Sequence, residues 1–212
     1  MPVYQHKNIL KNSKLGIWFI NETTEQLTKL AKEEKINLTN LPQVKNENRV
    51  KQWLATRLLL NIFFTSVDII YDEKGKPFLS NDWNISISHS GDYVAIILNE
   101  NENCGIDIEK ISSKVKRIKH KFLNETDLKN ITTEQDLTIY WGAKEALYKY
   151  YGKKEVLFIE NLFIEDFSSN KNAFTGVINL HHPAHLPQGR NFYTKLNLVW
   201  EKIEDYILVY SL

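Results

Sequence analysis

Two short stretches carry side chains that can do chemistry together. In Trp141-Gly142-Ala143-Lys144-Glu145-Ala146-Leu147-Tyr148-Lys149, Glu145 and Lys149 stand four residues apart. On a helix they share one face, a carboxylate and an ammonium one turn apart. In Gly105-Ile106-Asp107-Ile108-Glu109 the carboxylates are two residues apart, so on a strand both leave the sheet on one side. Three carboxylates and a lysine can then converge. A few hard oxygen ligands, with room left for a substrate's phosphate oxygens, suit Mg²⁺ better than zinc or copper. Mg²⁺ bridging phosphates implies phosphoryl-type chemistry. The competing reading is a solvated Glu145/Lys149 pair and a decorated strand face, and neither stretch alone decides between them.

These residues need a framework of helices and strands to position them. Residues 15–20 read as a strand entering the fold, and Thr23 or Thr24 can cap a helix running to about Lys35, with Leu27, Leu30 and Ala31 on its buried face. From Glu47 to Phe64 the pattern is helical, with an apolar stripe of Trp53, Ala55, Leu58, Leu59 and Ile62. Residues 67–71 are β-rich, and Asp72-Glu73-Lys74-Gly75-Lys76-Pro77 is turn chemistry. Residues 84–88 and 93–98 read as a hairpin joined across His89-Ser90-Gly91-Asp92. Its first strand alternates Ile85 and Ile87 with Ser86 and Ser88, one face core and one polar. Residues 104–108 form the next strand, Gly152 is suited to end the helix that carries Glu145, and residues 156–167, 173–180, 192–200 and 206–212 are β-rich.

The second half repeats features of the first. Trp53-x-Ala55-x-x-x-Leu59 recurs as Trp141-x-Ala143-x-x-x-Leu147, and Asp92-Tyr93 recurs as Asp205-Tyr206, each opening an apolar strand. This predicts an α+β chain of two similar α/β halves, residues 1–100 and 101–212, related by a pseudo-twofold. Each would be a long helix packed on a small, mainly antiparallel sheet, with the active site in the cleft between them.

Four segments in order, Gly75-Lys76-Pro77, Asn84-Ile85-Ser86-Ile87-Ser88-His89-Ser90-Gly91, Gly105-Ile106-Asp107-Ile108-Glu109 and Trp141-x-x-Lys144-Glu145-Ala146-x-x-Lys149, resemble the signature of the 4′-phosphopantetheinyl transferases of the two-domain, surfactin-synthetase-activating type. Any one of them is weak, but together they span roughly residues 45–160 in the family's order. The resemblance implies Mg²⁺-dependent transfer of 4′-phosphopantetheine from coenzyme A to a serine of an apo carrier protein. It makes Asp107, Glu109 and Glu145 the metal ligands, Glu145 and Lys149 the catalytic pair, and Lys149 also a contact to the coenzyme A phosphates. It places Arg49, helped by Lys45, on the 3′-phosphate, where a planar guanidinium can bind bidentately. It lays the backbone at Lys76 and Pro77 along adenine and sets His89, with donors around Ser88, against phosphate. Arg57 matches a second position of the family's helix, and we read it first as a structural ion-pair member.

Five cations, Lys114, Lys116, Arg117, Lys119 and Lys121, fall within residues 114–122, interleaved with Val115, Ile118 and Phe122. A charge run can be a solvated helix face. In the family this region contacts the carrier protein, whose recognition helix is acidic, so the resemblance implies docking of an acidic acyl or peptidyl carrier protein here.

The remaining features narrow the class. A net charge of +1 argues against bulk nucleic acid as partner, and no nucleic-acid motif supports that reading of the basic segment. No apolar run approaches the ~20 residues that span a bilayer, and the amino terminus lacks a signal-peptide pattern. A cytoplasmic monomer without membrane partners is expected. The single Cys104 cannot pair internally and reads as a small buried side chain. His181-His182-Pro183-Ala184-His185 has metal-like spacing, but its prolines preclude a helix and a surface loop is expected. Two alternatives remain: a metal-dependent phosphohydrolase, which would need neither the basic segment nor the histidine-bearing hairpin, and a noncatalytic carrier-binding module, which could dispense with the carboxylates.

Overall fold

The computed structural model describes residues 3–10, 12–168, 170–181 and 191–212. The chain divides into two compact units, Met1–Asn103 and Cys104–Leu212. Both combine helices with antiparallel sheet, as an α+β chain should.

The first unit opens with strands β1 (Val3–Leu10) and β2 (Ser13–Phe19), followed by helices α1 (Thr24–Glu33) and α2 (Glu47–Phe63). Two short strands, β3 (Ile69–Tyr71) and β4 (Pro77–Leu79), pair with each other. β5 (Asn84–Ser90) and β6 (Tyr93–Asn99) then complete a four-stranded sheet of order β1-β2-β6-β5. Thr23 caps α1 in a reciprocal box with Gln26, satisfying two otherwise orphaned N–H groups. Asn46 caps α2, its side chain accepting from the Arg49 N–H. The core gathers Trp18, Leu27, Ala31, Leu54, Leu58, Leu59, Val94 and Ile96, so the stripe expected on α2 does face its own sheet. β1 was not expected; it pairs along the outer edge of β2.

The second unit begins with β7 (Ile106–Lys110), then α3 (Ser113–Ile118), a single 3₁₀ turn over Lys119–Lys121, α4 (Glu125–Asn130) and the long α5 (Glu134–Tyr151). A short α6 (Phe158–Asn161) leads into β8 (Leu162–Glu165), β9 (Ala173–Leu180), β10 (Phe192–Ile203) and β11 (Tyr206–Ser211). The sheet order is β7-β11-β10-β9-β8, with antiparallel pairing throughout. Thr133 and Asp136 cap α5 reciprocally, and Gly152 ends it at φ 71°, a left-handed turn that glycine takes without a Cβ penalty. Residues 156–167 are not one strand. The Asn161 side chain accepts from the Leu157 N–H at 2.8 Å while the Asn161 N–H reaches the Leu157 carbonyl at 2.8 Å. That closes a helical turn inside an apolar run whose composition reads as β.

Each unit also has a two-residue hairpin turn, Gly91-Asp92 and Glu204-Asp205. The first residue of each takes φ 53°, as tight hairpins of primed type require. The aspartate carbonyl of each accepts an N–H from the residue following the unit's first core strand, Ile20 to Asp92 at 2.7 Å and Ile111 to Asp205 at 2.8 Å. Of the five-residue histidine stretch, only His181 is among the described residues.

Candidate active site

α5 presents its motif residues on two sides. Glu145 and Lys149 turn towards β7, where Asp107 and Glu109 leave the strand on the helix-facing side: the Asp107 carboxylate lies 3.6 Å from where a Cβ on Gly142 would stand. The Lys149 ammonium donates to Asp107 Oδ1 at 2.7 Å and to the Ile106 carbonyl at 3.0 Å. Asp107 is buried, 3% exposed, so this is a largely desolvated ion pair. The Trp141 indole N–H donates to Glu109 Oε1 at 3.3 Å. Burial, and the charge of nearby Asp107, push the Glu145 carboxyl up to about 7, with Lys149 opposing and Glu109 reinforcing the shift.

That shift has a thermodynamic consequence. The folded-state pKa lies above the ordinary value of 4.5, so the contribution to stability is fully present below pH 4.5 and is lost as pH rises through 7. Metal-free protein should lose on the order of 3 kcal/mol of stability from this group across that window. Glu145→Gln should abolish that part of the pH dependence and stabilise the metal-free protein at pH 8. Denaturant melts of both proteins at pH 5 and pH 8 check this; parallel profiles would show that Glu145 does not titrate as described.

Among the described residues, no three His, Cys, Asp or Glu side chains stand close enough together to hold a metal ion. The fit of Asp107, Glu109 and Glu145 to Mg²⁺ rests on donor chemistry. All are hard carboxylate oxygens, and in the upward shift of Glu145 desolvation comes first, with the charges of Asp107 and Glu109 adding to it against Lys149.

On its other side, α5 grips the preceding segment. Lys144, with no exposed surface, donates to the Phe122 carbonyl at 2.6 Å, Asp127 Oδ2 at 2.7 Å and the Phe158 carbonyl at 3.3 Å. Burial pulls its pKa down, against the opposing pull of Asp127. The Trp141 ring packs edge-on against Phe122 at 4.9 Å and stacks on Phe158 at 5.8 Å. The basic segment is amphipathic: Val115 and Phe122 are buried, while Lys114, Lys116, Arg117, Lys119 and Lys121 are exposed. Neither Asp127 nor the anchoring part of Lys144 was singled out in the sequence. The signal that hinted at them is the Asn124-x-x-Asp127 capping pattern, whose aspartate has a second task.

In the first unit, Lys45 and Arg49 are exposed, Arg49 in the first turn of α2. Asn48 and Gln52, one turn apart, both donate to the Gly91 carbonyl, at 3.1 and 2.9 Å. These amides, unremarked in the sequence, tie the start of α2 to the hairpin that bears His89. His89 lies within β5 opposite Val94, not at a turn tip, because the hairpin closes in two residues. Ser88 and His89 are adjacent strand residues and so point to opposite faces; Ser88 is buried and His89 exposed. The expected polar face of β5 is not solvated, since Ser86 and Ser88 are 3% and 6% exposed. Gly75 takes φ 87° in the turn before Lys76. The Asp72 carboxylate accepts from the Lys74 and Lys76 N–H groups, both at 2.8 Å, and Lys76 Nζ reaches Asn103 at 3.3 Å. The Arg57 guanidinium lies 3.4 Å over the Trp53 ring and bonds the Trp53 carbonyl, a structural role. Cys104 is buried.

The family profile described as the 4′-phosphopantetheinyl transferase superfamily matches residues 103–209. The chain is 30% identical over 115 residues to the 4′-phosphopantetheinyl transferase AcpT of Escherichia coli (strain K12), an alignment covering 49% of this chain and 59% of that protein. It is 30% identical over 113 residues to the 4′-phosphopantetheinyl transferase gsp of Aneurinibacillus migulanus, covering 50% of this chain and 47% of that protein. It is also 30% identical over 116 residues to AcpT of Salmonella typhimurium (strain LT2), covering 49% and 60%. The matched region thus spans about half to three-fifths of these relatives. Residues 103–209, matched by the family profile, contain β7, the basic segment and α5, and on that match the chain belongs to the 4′-phosphopantetheinyl transferase superfamily.

Proposed function

We propose that this protein transfers 4′-phosphopantetheine from coenzyme A to a serine of an apo acyl or peptidyl carrier protein, releasing adenosine 3′,5′-bisphosphate. The observation that carries this reading is Glu145: within the family-matched region, a half-buried carboxyl, pushed up to about 7 in the metal-free protein, sits one turn from Lys149 and within electrostatic reach of Asp107 and Glu109. A base poised near neutrality is what a serine nucleophile requires. Glu145, directly or through a bound water, accepts the proton as the serine oxygen bonds to the β-phosphorus. The bond from that phosphorus to the bridging oxygen breaks, and its electron pair leaves with the adenosine bisphosphate. Lys149 stabilises the developing charge. Mg²⁺ held by Asp107, Glu109 and Glu145 would neutralise charge on the pyrophosphate.

Lys45, Arg49, Lys76, Pro77, Ser88 and His89 are assigned to the coenzyme A nucleotide, and the exposed cations around Lys116 and Lys119 to an acidic carrier protein. The recurrent Trp, Ala and Leu of α2 and α5, and the matching Asp-Tyr hairpins, support two copies of one α/β half. A cytoplasmic monomer is part of the same reading. Among the described residues no helix is long and apolar enough to cross a membrane.

Mass spectrometry of an apo carrier incubated with the protein, coenzyme A and Mg²⁺ should find a gain of about 340 Da, one covalent phosphopantetheine arm. No gain on several acidic carriers would overturn the proposal. A parallel arm without carrier distinguishes a phosphohydrolase, which would consume coenzyme A unaided.

Arg49→Ala should raise the KM for coenzyme A with little effect on the carrier, and dephospho-coenzyme A should feel the change less. Reversing Lys116, Arg117 and Lys119 to glutamate should raise the carrier KM and remove its salt dependence, since exposed charges act through encounter and are screened over about 8 Å at physiological ionic strength. If both variants weakened coenzyme A alone, the basic segment would belong to the nucleotide.

A further inference from the structure

Why should a residue with no exposed surface, adjacent to Glu145, be a lysine? An ammonium carries three hydrogens, and in Lys144 each has an acceptor: the Phe122 carbonyl, Asp127 and the Phe158 carbonyl. Phe122 closes the basic segment. Asp127 Oδ2 also accepts the Asn124 N–H at 3.2 Å, fixing the start of α4. Phe158 opens α6. Three separate pieces of chain are thus tied to one point on α5. One turn earlier, Trp141 packs between Phe122 and Phe158 and donates to Glu109. An apolar side chain at 144 would fill the same space without the desolvation cost of a buried ion pair, and such replacements are often neutral or stabilising. What it could not supply is directional bonding to two main-chain carbonyls.

We propose that Lys144 is a positioning residue that holds the basic segment at a fixed register on α5, and so fixes a docked carrier relative to Glu145. This deepens, and rests on, the carrier-docking reading above. Glu145 is the next residue on the same helix, so a carrier seated on Lys116 and Lys119 is indexed to the base through one rigid element and one buried clamp.

The test uses the full chain with the double substitution Lys144→Met and Asp127→Leu, which removes the pair without leaving a lone buried charge, and with Asp127→Asn, which keeps the shape and both carbonyl bonds. For the folded double variant, the carrier KM should rise at least about tenfold while the coenzyme A KM stays within about twofold, because misplacement of a bound reactant is costly. Amide hydrogen exchange over residues 116–123 should accelerate by about tenfold or more. An unchanged carrier KM, or a coenzyme A KM rising in step with it, overturns the proposal. If the double variant does not fold, Asp127→Asn decides by the same split, about threefold in carrier KM, and no split overturns it. If the wild-type protein modifies no carrier, the docking reading fails separately, and exchange alone judges the clamp: faster exchange over residues 116–123 supports it and unchanged exchange overturns it.

Discussion

Glu145→Gln is expected to lower the rate of phosphopantetheine transfer by at least about a hundredfold while leaving the fold intact. The amide keeps the shape of the side chain but cannot accept the serine proton, and it removes one negative charge from the cluster with Asp107 and Glu109. The same substitution should stabilise the metal-free protein above pH 7, because it ends the penalty on a half-buried carboxylate beside two others. Loss of activity with a gain of stability marks a group selected for chemistry at the expense of folding. Near-normal turnover at saturating Mg²⁺ would remove Glu145 from the mechanism.

Gly105→Ala is expected to destabilise the protein by about 3 kcal/mol, at the upper end of overpacking costs, and to abolish transfer. A Cβ on Gly105 would collide with the Ala146 carbonyl oxygen and stand 3.1 Å from the Tyr150 nitrogen. Both are backbone atoms of α5, so no side chain can turn aside and the helix itself must lift from β7. Gly105 is also locked to β11, donating its N–H to Ser211 Oγ and accepting the Ser211 N–H through its carbonyl, both at 2.9 Å. Lifting α5 would part Lys149 from Asp107. Gly142→Ala is the control. Its Cβ meets a Val209 methyl at 3.1 Å, which can yield, and alanine gains about 1 kcal/mol of helix propensity over glycine. Thermal melts of the two variants should differ widely, and equal melts would mean that α5 has slack to move over β7.

The difference between what could and could not be read in the sequence follows from distance along the chain. Glu145 with Lys149, and Asp107 with Glu109, are spaced at the helical and strand periods, so their shared faces follow from local geometry. The cap of α1 by Thr23 and the end of α5 at Gly152 are equally local. The Lys144–Asp127 pair spans two helices and the loop between them, and nothing short of the packed unit reveals that a lysine in an apolar helix stripe is fully buried. Asn48 and Gln52 sit at helical spacing, but their shared target, the Gly91 carbonyl, lies some forty residues away. The split of residues 156–167 into α6 and β8 turned on a single asparagine side chain competing for the backbone. The buried serines of β5 were misplaced because alternation reports chemical contrast between faces, not whether the polar face is left in water.

The sheet order of the second unit sets a timetable for synthesis. Among the described residues, the strand bearing Asp107 and Glu109 lies at the edge of its sheet and pairs there with β11. Its partner, Tyr206–Ser211, is made about a hundred residues later, which at roughly 5–20 residues per second is an interval of about 5–20 s. For that interval the two carboxylates ride on an unpaired ribbon edge, the kind of edge that invites association with other chains. Their charges, strongly hydrated before Lys149 is in place, sit on a strand that also carries Lys110 and the apolar Ile106 and Ile108. Charged side chains on such an edge are among the devices that discourage pairing with other chains.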